Sequence, residues 1–145
     1  MPIDYQVDHD HRIVLAAAHG TLSADDMFQY QQEVWSRPDV AGYDELVDMS
    51  DVRAAAQPTS DRIRALAERA AGMDAARGRG KFAIVAPQQE FFGLGRMYEA
   101  YREMASGTRS VAVFRDRAQA LLWLAGGDSA PDAGSSGSSG AKPPG

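Results

Sequence analysis

Apolar and polar positions change period along this chain, and each change marks an element. Residues 3–7 alternate, with Ile3, Tyr5 and Val7 separated by Asp4 and Gln6, the two-residue period of a strand with one buried face. Asp8-His9-Asp10-His11 interrupts the alternation as a polar turn, and Ile13–Ala18 supplies the returning strand. The chain therefore opens on a β-hairpin. After Leu22-Ser23 the period lengthens: Met27, Tyr30, Gln31 and Val34 recur at three and four residues, one face of a helix. Ser23 is its predicted N-cap, Asp25 and Asp26 complement the positive end, Leu22 is placed to staple onto Met27, and Pro38 ends the segment.

The rest of the chain repeats a strand-then-helix unit. Leu46-Val47-Asp48-Met49 is too short for an uncapped helix and predicts a buried strand that empties into a loop at Ser50-Asp51. Pro58-Thr59-Ser60-Asp61 starts a second helix, whose apolar face is Ile63, Leu66, Ala67, Ala70 and Met73. Lys81–Ala86 is a strand closed by Pro87, Glu90–Met104 a helix with Phe91, Leu94, Tyr98 and Tyr101 aligned, and Val111–Phe114 a last strand. Asp116 caps a final helix, with Gln119 in the box position and Ala118, Leu121, Leu122 and Ala125 expected inward before Gly126-Gly127 stops it. The order ββαβαβαβα predicts an α/β domain over residues 1–125: a mixed five-stranded sheet, parallel in its later strands, with the helices packed against it.

Composition narrows the picture. At 145 residues the chain has the length of one domain, able to bury a core without metal or disulfide support. It contains no cysteine, which removes disulfides, thiolate metal sites and cysteine nucleophiles. The net charge of −5, with 15 basic and 20 acidic residues interspersed, disfavours a phosphate-backbone surface, so no nucleic acid partner is expected. MPIDYQVDHDH lacks a basic start followed by an apolar run, and no apolar stretch is long enough to span a bilayer, so a cytoplasmic protein is the expectation. From residue 126 to 145 the chain turns to Gly, Ser, Ala, Pro and Asp. That composition predicts a disordered tail, and GSSGSSG at 134–140 has the character of a flexible linker.

Candidate chemistry is sparse. The three histidines, His9, His11 and His19, all lie in the opening hairpin, where alternating residues face opposite ways, and a polar turn is favoured over a metal site. Asp48 with Asp51, or Glu45 with Asp48, are carboxylates near a strand end without a base or metal set, so no catalytic residue, metal or cofactor is expected and the chain is not read as an enzyme. Between residues 60 and 81, Arg62, Arg64, Arg69, Arg77, Arg79 and Lys81 outnumber Asp61, Glu68 and Asp74, which reads as a solvated helix face and a basic loop. FFGLG at 91–95 lacks the third glycine of a dinucleotide fingerprint and the lysine of a P-loop, and close helix packing is the preferred reading. The helix that contains it has more aromatic residues than one stripe needs. Phe92 and Met97 fall outside that stripe beside Arg96, a candidate surface for a ligand or partner.

Two segments, EVWSRPDVAGYDELVDMSDV and FGLGRMYEAYRE, resemble the SpoIIAA-like (STAS-like) domains of bacteria, and the resemblance extends over residues 3–125. It implies a STAS-like fold and a non-catalytic regulatory or protein-interaction module, acting through a protein partner or as a homo-oligomer. Relatives grouped with Sec14-type domains imply an alternative, binding of a lipid or other apolar small ligand. A third reading comes from the anti-sigma factor antagonists, which are switched by phosphorylation of a serine at a helix start. The positions here are Thr59 and Ser60. Their Asp-Ser-Ser-Gly-like signature is replaced by RAAAQPTSD, so helix capping by Thr59 or Ser60 comes first and phosphorylation second.

Overall fold

A computed structural model describes residues 2–77, 80–105 and 109–126. The opening hairpin is β1 (Ile3–Asp8) and β2 (Ile13–Ser23), followed by α1 (Ala24–Trp35) and a short 3-10 turn at Pro38–Val40. Three further units follow: β3 (Asp44–Ala56) with α2 (Ser60–Arg77), β4 (Phe82–Val85) with α3 (Gln89–Met104), and β5 (Val111–Phe114) with α4 (Arg117–Leu124). The five strands form one sheet in the order β1-β2-β3-β4-β5. β1 pairs antiparallel with β2, and every later pair is parallel. This is the predicted mixed sheet, and its order follows from short connections that return each strand beside the last.

The helices divide unequally between the faces. Tyr30 and Val34 of α1, Leu66, Ala67 and Ala70 of α2, and Phe91 and Tyr98 of α3 share one core with Val14, Ala16, Val47, Phe82, Ile84 and Val113. Among the described residues, α4 alone of the helices covers the opposite face, where Ala120, Trp123 and Leu124 meet Leu46, Ala83, Val85, Ala112 and Phe114. Because α1, α2 and α3 each join two parallel strands, they run side by side in one direction, against the strands. Their first turns therefore gather at one end of the molecule and their last turns at the other.

Local chemistry explains where the elements start. Ser23 and Asp26 make a reciprocal capping box, with Asp26 N donating to Ser23 Oγ at 3.0 Å and Ser23 N to Asp26 Oδ2 at 3.0 Å. Asp116 Oδ1 accepts from Gln119 N at 2.8 Å at the start of α4. Gly80 is required by close approach: a Cβ there would lie 1.9 Å from the Tyr43 carbonyl oxygen.

Two expectations are corrected. β2 does not stop at Ala18, nor does β3 stop at Met49; they run on together as a ribbon to Ser23 and Ala56, with register shifts between Ala17 and His19 and between Gly20 and Thr21. Beyond Asp48, β3 has left the register of β4. The Gln88 amide then donates to Ser50 O at 2.8 Å and Val52 O at 3.4 Å, standing in for strand donors. The second correction is the rotation of α4. Ala118, Leu121, Leu122 and Ala125 are exposed, Leu122 by 71%, and Ala120, Trp123 and Leu124 point inward. The Trp123 ring lies 5.5 Å from that of Phe114, and burying so large an aromatic surface outweighs two leucines on a short helix. The predicted tail of residues 126–145 lies outside the described residues apart from Gly126.

Candidate functional site

The first turns of α1, α2 and α3 do not close completely over the sheet. Between them opens a small apolar cleft of about 80 Å³. α1 contributes Ala24 and Met27, α2 contributes Ile63 and Leu66, and α3 contributes Phe91, Leu94, Gly95 and Tyr98. The strands supply Leu22, Met49, Val52, Ala55, Phe82 and Ile84, and Ser23, Gln57 and Pro58 form part of the rim. Its shape follows from small residues. Gly95 sits so close to β5 that a Cβ would come 2.9 Å from Val113 Cγ1, which draws α3 onto the sheet. The preference for close packing in FFGLG thus has its structural counterpart in Gly95. Gln57, with φ of 49°, turns the chain from β3 into α2 through the left-handed region, a conformation that costs a non-glycine residue about 1–2 kcal/mol.

Beneath the cleft, one turn further along the helices, lies a buried polar cluster. Tyr98, four residues after Leu94, carries its hydroxyl out of the apolar lining. There it accepts from Arg102 Nη1 at 3.1 Å and from Gln31 Nε2 at 3.3 Å. Arg102 Nη2 binds both oxygens of Asp74, at 2.7 and 2.8 Å. A second pair lies nearby: Arg109 Nη1 donates to Glu45 Oε1 at 3.0 Å, and Glu45 also accepts from Trp35 Nε1 at 2.8 Å and Tyr30 Oη at 2.5 Å. Arg109 Nε donates to Gly80 O at 2.8 Å, and its backbone N–H to Asp74 Oδ2 at 3.1 Å, so the two pairs share one network. All four charged side chains are buried. Burial holds the Tyr98 hydroxyl above the ordinary tyrosine pKa, against the opposing pull of Arg102 and the Gln31 hydrogen bond. The phenol therefore stays protonated at neutral pH.

The sequence-predicted residues are distributed around this centre. Thr59 is the N-cap of α2, its Oγ1 accepting from Arg62 N at 3.3 Å, and Ser60 is the first helical residue. Both are exposed. On α3, Arg96 is exposed and 3.3 Å from Glu99, while Phe92 and Met97 are half-buried. The Arg115 guanidinium covers the Phe92 ring at 3.9 Å. Glu45 and Asp48 are not brought together: Glu45 enters the three-helix core, whereas Asp48 binds Ser50 Oγ at 2.5 Å and Arg117 at 3.1 Å. In the hairpin, Asp8 pairs with His11 and His9 with Tyr43, both at 2.8 Å. Among the described residues no three acidic, histidine or cysteine side chains gather as a metal-binding group, and no helix is long and apolar enough to cross a membrane.

Sequence reading missed Asp74, Arg102 and Arg109. A signal existed for two of them: Arg102 follows Tyr98 by four residues on the inward stripe of α3, and Asp74 follows Ala70 by four on that of α2. A charge at a core position of a helix predicts a buried partner.

With the geometry established, a comparison with known structures identifies the architecture. A solved structure of an uncharacterised protein of the DUF3478 family with a SpoIIAA-like fold, from Shewanella loihica PV-4, is similar to this chain. The TM-score is 0.52 and the identity 16%, over 84% of this chain and 93% of that one. The chain has a SpoIIAA-like fold. The resemblance carried by residues 3–125 and the three-dimensional comparison agree on this. No family model matches the chain. No curated protein matches it either. At this identity the likeness speaks for the fold, and the activity has to be argued from the site.

Proposed function

We propose that the chain is a non-catalytic binding module of the SpoIIAA-like type, and that its working feature is the cleft, which takes an apolar small ligand. One observation carries the reading: an open cleft lined almost wholly by carbon, at the gathered first turns of three helices. Water in such a space forgoes hydrogen bonds, so displacing it with an apolar molecule is favourable. The strand carboxylates support no reaction, since Glu45 is committed to Arg109 and Asp48 to Ser50 and Arg117.

Native mass spectrometry of freshly purified protein, with displacement of Nile red, tests the proposal. Ala55→Phe fills the cleft from β3 and is expected to weaken dye binding at least tenfold while secondary structure is kept. Undiminished binding by the folded variant would remove the cleft from consideration.

A protein partner or second copy docking at Phe92, Arg96 and Met97 is the second reading, favoured by the exposure of Arg96 beside half-buried Met97. Replacing Phe92 and Met97 together by polar residues would then lower the native mass without unfolding. Phosphorylation at Ser60 or Thr59 would add charge next to Pro58 at the cleft rim, and intact-mass analysis of protein from its host tests it directly.

A further inference from the structure

α4 is apolar on two sides. Apart from Arg117 and Gln119, every one of its residues is apolar, and Ala120, Trp123 and Leu124 take the side that lies on the sheet. Ala118, Leu121, Leu122 and the C-cap Ala125 form a second stripe at three- and four-residue spacing, on the opposite side of the helix, and all four are exposed. Leu121 is 40% exposed and Leu122 71%. Of the large apolar side chains exposed among the described residues, Met104, Leu121 and Leu122, two therefore stand side by side here. A helix that is apolar all round is a buried helix, so this stripe is a surface the single chain leaves uncovered.

We propose that the stripe is the contact between two copies of this chain, whose α4 helices pack antiparallel about a two-fold axis between Leu121 and Leu122. The pattern itself selects a second copy. Ala-x-x-Leu-Leu-x-x-Ala reads the same in both directions, so the two-fold sets Ala118 opposite the partner's Ala125 and Leu121 opposite the partner's Leu122. Small ends let the helices approach while the leucines interlock at the centre. The stripe holds no charge to desolvate, and the helix ends favour the antiparallel sense. Arg117 stands in the first turn, where the helix dipole disfavours a cation, and the last turn has no basic residue. Antiparallel pairing moves each Arg117 to the carbonyl end of the other helix. Lys81 Nζ already meets the Trp123 carbonyl at that end, at 2.9 Å, and Asp48 holds Arg117 at 3.1 Å. The charges therefore set the direction, and the leucines supply the binding. With 8 residues α4 is about 12 Å long, so the contact is smaller than a standard interface of about 1,600 Å² and its Kd lies at about 1 µM or above. It involves neither the cleft nor Phe92, Arg96 and Met97, which belong to α3.

Sedimentation equilibrium of the full chain, from micromolar to millimolar concentration, is expected to show the mass rising from one chain to two. Leu121→Gln together with Leu122→Gln changes exposed positions only, and should weaken association by about tenfold or more with the circular dichroism unchanged. Polar replacement of Phe92 and Met97 should leave association as it is. The chain has no cysteine of its own, so introduced ones report the orientation. Ala118→Cys mixed with Ala125→Cys should cross-link the copies on mild oxidation. Either variant alone should not, because its two cysteines would lie about 10 Å apart along the helix axis, beyond the reach of a disulfide. A monomer at every concentration, a dimer indifferent to the leucine pair, or cross-linking of each cysteine variant with itself would overturn the proposal. So would native mass spectra in which the leucine variant loses a different protein or a lipid rather than a second copy. Should the leucine variant unfold, the wild-type mass and the cysteine pair decide the matter.

Discussion

Asp8 and His11 show what a short polar turn does with its charges. The Asp8 carboxylate accepts from the His11 backbone at 3.1 Å and lies 2.8 Å from its ring. The hydrogen bond to Asp8, and then its charge, raise the His11 pKa above 6.5, and the same contact lowers that of Asp8 below 3.8. Since the folded pKa of His11 lies above its unfolded value, the contribution is fully present below about pH 6.5 and is lost as pH rises through the raised value. Both groups are open to solvent, so the readout is the titration rather than stability. Proton NMR of the His11 ring should give a midpoint above 6.5 that falls back in Asp8→Asn. An unchanged midpoint would show that the pair does not form in solution. Gln31 is the opposite case, a residue whose polarity is hidden from water, its Nε2 donating to the Tyr98 hydroxyl at 3.3 Å.

At the scale of the element, ends are set by side chains and lengths by neighbours. Thr59 Oγ1 satisfies one of the orphan N–H groups of the first turn of α2, whereas Ser60 stands inside the helix. Thr59→Ala should therefore cost about 1 kcal/mol, and Ser60→Ala at most about 0.5 kcal/mol. Urea melts of the two variants separate them, and a larger loss for Ser60 would reverse the cap assignment. The β2–β3 ribbon is a different matter. Residues 50–56 include Ser50, Asp51 and Arg53 and carry no alternation of their own, yet they are strand because β2 pairs with them. α4 teaches the same lesson by rotation: its leucines and its Trp123 compete for one buried face, and only the position of Phe114 beneath the helix settles which wins.

Across the whole molecule, the buried ion pairs act as ties. Asp74–Arg102 joins α2 to α3, and Glu45–Arg109 joins β3 to the segment that enters β5. Breaking a buried pair leaves a charge without compensation, and Arg102→Met should cost about 3–5 kcal/mol. Adding Asp74→Asn to that variant removes the stranded charge, and the double variant should lose less than the two single losses together. Chemical denaturation of the four proteins checks this, and additive losses would mean that the pair does not act as a unit.

The fold was legible from the sequence because its signals are local. Alternation around Ile3, Tyr5 and Val7, the Ser23 cap, the Asp116 cap and the run Val111–Phe114 each depend on a few neighbouring residues, and each stands where expected. With them came the number of strands, their parallel order and the SpoIIAA-like architecture. The site was not legible in this way. Arg102 meets Asp74 across 28 residues and Arg109 meets Glu45 across 64, and periodicity reports that a position faces inward without saying what it meets there. The cleft is more distant still from the sequence, since it is the space left where the first turns of α1, α2 and α3 fail to fill the gap above Phe82 and Ile84. A void is a property of packing between elements, and only the tertiary structure decides it.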